Sequence, residues 1–166
     1  QSICFDIAEL PVNYRISKDT GLRERSVCIM SEEAIQEAKD TFERWLAAFN
    51  ARDDQGMVAE MHFPHHRLVA TKFDSWSTAE EYAAGQRAID ERLVDEGWDH
   101  TFLVSMEAVQ SSANKVHLVL HQSRRKKDGT EYNGFDTLWV FTKVDGRWGA
   151  KLRSSFLTAE AQVYSN

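Results

Sequence analysis

Two Asp-Gly pairs, Asp128-Gly129 and Asp145-Gly146, punctuate residues 115–156 and leave that stretch few ways to fold. Asp-Gly accepts the positive φ that both central residues of a type I′ turn require. Each pair therefore predicts a two-residue hairpin loop, and together they predict three antiparallel strands. A fixed turn also fixes the register. Counting outward from Asp145-Gly146 sets Lys143 opposite Trp148, Phe141 opposite Ala150, Trp139 opposite Leu152, Thr137 opposite Ser154 and Phe135 opposite Phe156. Counting from Asp128-Gly129 sets Gln122 opposite Phe135, Leu120 opposite Thr137, Leu118 opposite Trp139 and Val116 opposite Phe141. The two counts agree on the faces. One carries Val116, Leu118, Leu120, Phe135, Trp139 and Phe141 and must be covered; the other carries His117, Val119, His121, Asp136, Leu138, Val140 and Arg153 and can meet water or a partner.

The cover comes from the preceding residues. Ile35, Ala38, Phe42, Trp45, Leu46 and Phe49 recur at spacings of three and four, which predicts an amphipathic helix capped by Ser31. A short helix over residues 55–62 follows, stopped by Pro64, and then a strand over residues 66–73. Ser77-Thr78-Ala79-Glu80 reads as a capping box for a third helix reaching Asp95, with Ala79, Tyr82, Gln86, Ile89 and Leu93 on one stripe and Gly97 closing it. Residues 101–109 alternate as a half-buried strand. Residues 1–30 read as an N-terminal extension, residues 31–158 as the domain and residues 159–166 as a tail.

Helices followed by antiparallel strands make an α+β domain, with three helices on a strongly curved, mainly antiparallel sheet. Here the chain resembles the nuclear transport factor 2-like superfamily, also called SnoaL-like or cystatin-like. The likeness rests on Ala48-Phe49-Asn50-Ala51-Arg52-Asp53, Met61-His62-Phe63-Pro64-His65, Trp76-Ser77-Thr78-Ala79-Glu80-Glu81 and Val144-Asp145-Gly146-Arg147-Trp148. It implies a cone enclosing a largely apolar pocket, and it does not specify a reaction.

Within such a cone the register points Gln122, Arg124, Asn133, Thr137 and Ser154 inward as polar groups, with Phe135, Trp139 and Phe141 as walls. His62, His65 and His66 flank Pro64, and His62 or His66 is the expected acid–base group. His121 faces Asp136 on the outer side, where His117, His121, Asp136, Leu138, Val140 and Arg153 form the expected homodimer face. Ketosteroid-isomerase-like members carry a tyrosine on the first helix and a carboxylate on the following strand. Phe42, Trp45, Leu46 and Phe49 supply no tyrosine here, and residues 66–73 hold an acid only beyond their end, at Asp74.

Other classes are disfavoured. A net charge of -6 argues against nucleic acid. No apolar run is long enough to span a bilayer. No metal-ligand spacing, phosphate loop or nucleophile elbow is present, and no cofactor is expected. Cys4 and Cys28 read as reduced thiols of a cytoplasmic protein. Two functions stay open: a binder of a small hydrophobic ligand with weak acid–base chemistry, or a non-catalytic module whose cone is filled.

Overall fold

The computed structural model describes residues 32–157. The proposed extension and tail, the Ser31 cap and both cysteines lie outside the described residues. Helix α1 (Glu32–Ala51) buries Ala34, Ala38, Thr41, Phe42, Trp45 and Phe49, the stripe its sequence spacing requires. Helix α2 (Asp54–Ala59) is shorter than expected. Asp53 caps it by accepting from the Gln55 and Gly56 amides, and Glu60 ends it before Pro64 is reached. Strand β1 (Met61–Val69) therefore begins earlier than expected, at Met61, and runs through a cis Phe63-Pro64 bond.

Strand β2 (Lys72–Trp76), which the sequence reading merged into its predecessor, folds back antiparallel on β1. Helix α3 (Ala79–Asp95) has its capping box one residue later than predicted. Thr78 accepts from the Glu81 amide, and the Glu81 carboxylate accepts from the Ser77 amide. Strands β3 (His100–Ser112), β4 (Lys115–Arg125), β5 (Glu131–Val144) and β6 (Arg147–Phe156) complete a six-stranded sheet ordered β2-β1-β6-β5-β4-β3. Only β1 and β6 run parallel, so the sheet is mixed, and it stays open at β2 and β3. Three helices on a curved, unclosed mixed sheet define an α+β fold of cystatin-like type.

The core lies between α1 and the inner face of the sheet. Trp45 stacks on Phe49 at 5.1 Å and meets Trp139 at 4.7 Å, while Phe42 meets Trp139 edge-on at 5.3 Å. Leu118, Leu120, Trp139 and Phe141 are completely buried. Among the described residues no helix is long and apolar enough to cross a membrane.

The β4–β5 register is as counted, from Val116 opposite Phe141 to Gln122 opposite Phe135. The loop is not the expected two-residue turn, however. Only Gly129 has positive φ, and Lys126 bonds across to Thr130. A bulge between Arg124 and Arg125 absorbs the difference and preserves the pairing.

Asp145 and Gly146 both adopt positive φ, as a type I′ turn demands. The β5–β6 count holds from Val144 opposite Arg147 to Phe141 opposite Ala150 and then slips. Lys151 is an extra residue in β6, so Val140 faces Leu152, Trp139 faces Arg153 and Thr137 faces Ser155. Past the bulge the strand's faces exchange. Arg153 and Ser155 join the inner side in place of the expected Leu152 and Ser154, and Phe156 stands 73% exposed.

Candidate functional site: an arginine-lined cavity in the cone

The inner side chains of five strands and two helices close around a small cavity of about 40 Å³, enough for a few water-sized groups. Alternation along β1 turns Arg67 and Val69 toward it. The β6 bulge brings in Arg153 and Ser155, β4 contributes Gln122 and Arg124, and β5 contributes Phe135. Helix α3 supplies Gln86 and Ile89, and α1 supplies Trp45 and Phe49. Thr101 of β3 sits at the wall, where Asn50 of α1 holds its backbone by accepting from its amide at 2.8 Å and donating to its carbonyl at 2.9 Å.

Three guanidiniums thus share one wall. Arg67, 9% exposed, is bound by the Asp74 carboxylate, with Nη2 at 2.6 Å and Nε at 3.1 Å. Arg124 has Nη1 3.6 Å from Glu96 Oε2, which also accepts from the Tyr132 hydroxyl at 2.9 Å, and it lies over the Phe135 ring. Arg153 lies over Trp139 at 5.5 Å and Trp45 at 5.8 Å. Among the described residues no carboxylate lies within ion-pair distance of it, and its Nε has no hydrogen-bond partner.

Burial, helped by the like charges of Arg67 and Arg124, lowers the Arg153 pKa to about 10, so it remains a cation at neutral pH. Burial also lowers Arg124, against the raising influence of Tyr132 and Glu96. Gln86 is 2% exposed and lies against Asp90, whose carboxyl is pushed up by burial against the lowering effect of its hydrogen bond to Gln86.

Of the expected ligand residues, Gln122 and Phe135 line the cavity. Trp139, Phe141 and Thr137 are buried behind it, Thr137 donating to the Ser154 carbonyl and bonding the Ser155 hydroxyl. Asn133 is buried on β5. Ser154 does not line the cavity; the bulge gives its place to Ser155.

Neither His62 nor His66 reaches the cavity wall. His62 Nδ1 lies 3.0 Å from Thr142 Oγ1, and its ring fills the space over Gly149, where a Cβ would sit 2.7 Å away. Burial and then the charges of Arg147 and Lys151 lower its pKa. His66 stacks on Phe73 at 5.5 Å. The histidine that turns inward is His65, fully buried against Trp76 and Tyr82, donating from Nδ1 to the Ala150 carbonyl. Burial and the nearby Arg153 charge lower it to about 3, so it stays neutral.

On the outer face His121 and Asp136 pair at 2.8 Å, as counted, while Arg153 has left that face. Sequence reasoning missed Arg67, Gln86, Arg153 and Ser155 as wall residues. A glutamine on the apolar stripe of α3 and an arginine between buried neighbours of β1 were visible signals. The bulge that inverts β6 was not.

The sequence matches the family described as NTF2-like protein (DUF6841) over residues 35–150, and the chain belongs to that family. No curated protein matches it. A cystatin-like protein of unknown function from Nostoc punctiforme superposes with a TM-score of 0.65 at 12% identity, covering 78% of this chain and 95% of its own. An NTF2-like protein from Novosphingobium aromaticivorans gives 0.63 at 17% identity, covering 81% and 90%. A ketosteroid isomerase-like protein from Erwinia carotovora atroseptica gives 0.56 at 18% identity, covering 78% and 99%. At these identities the likeness is one of fold.

Proposed function

We propose that the protein binds a small organic molecule in the cone and performs no acid–base chemistry on it. The observation that carries this reading is a cavity whose wall holds a buried donor without a partner, Arg153 Nε. Native interiors rarely leave such groups unpaired, and a ligand's polar atoms are one way to satisfy them. The wall residues include no carboxylate and no histidine, so a general base within reach of a bound molecule is missing.

The cavity is far below the ~300–1,000 Å³ usual for drug-sized ligands. The ligand is accordingly small, or Phe135, Ile89 and Leu157 swing aside for its apolar part. The wall is also more polar than the family resemblance implies. A thermal-shift screen of fragments with about ten heavy atoms or fewer tests the reading. At least one should raise the melting temperature of the native chain dose-dependently, and that response should vanish in Ser155→Leu, which fills the cavity. A panel with no response contradicts it.

A second reading concerns assembly. Phe102, Val104, Val109 and Val119 stand between 38% and 51% exposed on β3 and β4. They extend the apolar part of the outer face that contains Leu138 and Val140. We propose that two copies meet there, with the His121–Asp136 pair within the contact.

A further inference from the structure

We propose that the molecule held in the cone is a monocarboxylic acid in its anionic form, received by Arg153; this rests on the binding reading above and adds the ligand's chemical class. Three guanidiniums share the wall, and two are answered: Arg67 by Asp74 at 2.6 Å and Arg124 by Glu96 at 3.6 Å. No carboxylate among the described residues lies within ion-pair distance of Arg153, so its charge has no direct partner at a half-buried position where its Nε is shut off from water. An unpaired charge away from water is costly and is retained where something balances it. A single negative charge balances it; a phosphate dianion exceeds it by one.

Hydrogen-bonding capacity points the same way. The unpaired group at the wall, Arg153 Nε, is an N–H donor, and the buried Trp139 Nε1 beneath it is a second. What the Arg153 end of the cavity lacks is an acceptor. A carboxylate is acceptor-only when ionised and matches the planar guanidinium fork with two parallel bonds.

Size and surroundings complete the class. The volume of about 40 Å³ takes a carboxylate-sized head, and Trp45, Phe49, Ile89 and Leu157 offer apolar surface for a short aliphatic or aromatic remainder. The lowered basicity of Arg153 comes first from burial and then from the charges of Arg67 and Arg124, and a bound carboxylate would oppose it.

The test uses the full chain at pH 7 and fixed ionic strength. Propionate and benzoate are titrated against their neutral isosteres, propionamide and benzamide, with sodium chloride and inorganic phosphate as ionic controls, read by melting temperature and calorimetry. The expected result is saturable one-to-one binding of at least one carboxylate, at least tenfold tighter than its amide. Arg153→Gln should weaken carboxylate binding at least tenfold while its own unliganded melting temperature stays level or rises. Arg153→Lys, which keeps the charge without the fork, should fall between.

If the amides bind as well as the acids, the carboxylate assignment fails and the binding reading stands. An equal response to chloride or phosphate also overturns the assignment. If none of these probes binds, and no fragment of the earlier screen does, both fail. Should Arg153→Gln not fold, Arg153→Lys and the acid–amide comparison on the native chain still decide the matter.

Discussion

Burial acts on two neighbouring basic groups, Arg153 and His65, with different consequences. Arg153 keeps its proton at neutral pH because its pKa falls only to about 10. His65 loses its proton because burial takes it to about 3, far below its usual 6.5. Its folded pKa lies below its unfolded one, so between pH 6.5 and 3 the unfolded chain binds more protons and stability falls as pH falls. The contribution of His65 is whole above pH 6.5 and is about 2 kcal/mol smaller at pH 5. His65→Asn keeps a donor for the Ala150 carbonyl but cannot titrate there. Urea melts of both proteins from pH 7.5 to 4.5 should show a shallower acid decline in the variant; parallel declines would place the acid sensitivity elsewhere. The sequence placed His65 beside Pro64, but the aromatic enclosure that silences it comes from Trp76, its partner across the β1–β2 hairpin that the sequence reading did not resolve, and from Tyr82 of α3.

Elements were legible where local chemistry decides them. The α1 stripe and the Asp145-Gly146 turn follow from residue type and spacing alone, whereas the β4–β5 register matches the count only because the bulge between Arg124 and Arg125 offsets an unexpected loop. The α3 cap is one residue off because Ser77-Thr78 followed by Glu80-Glu81 offers two overlapping capping boxes, and the helix uses the second. Thr78→Ala should therefore cost about 1 kcal/mol and Ser77→Ala only a few tenths by chemical denaturation. The reverse order would return the cap to Ser77. The β6 bulge escaped because nothing in Gly149-Ala150-Lys151-Leu152 marks an extra residue. It arises where β6 must pair with β5 on one side and a kinked, parallel β1 on the other. That slip of one residue transfers Arg153 from the expected dimer face into the cone, so the candidate site was least legible where long-range pairing decides it.

At the scale of the molecule, the proposed interior site and the proposed contact face lie on opposite sides of the sheet. The proposed assembly on the outer face predicts that Val119→Lys, a charge placed amid Phe102, Val104 and Val109, converts a dimer to a monomer in light scattering without lowering carboxylate affinity. A native chain that is monomeric at micromolar concentrations would contradict that assembly.

Here the deciding feature is a guanidinium without an ion-pair partner beside a cavity. Its side-chain Nε–Hε resonance reports on that directly. In ¹⁵N-correlated NMR of the full chain titrated with propionate, the Arg153 Nε–Hε peak should move and saturate together with the Trp45 and Gln86 side-chain peaks, while propionamide leaves all three in place. A stationary Arg153 peak, with shifts confined to exposed residues such as Arg87, would contradict the account.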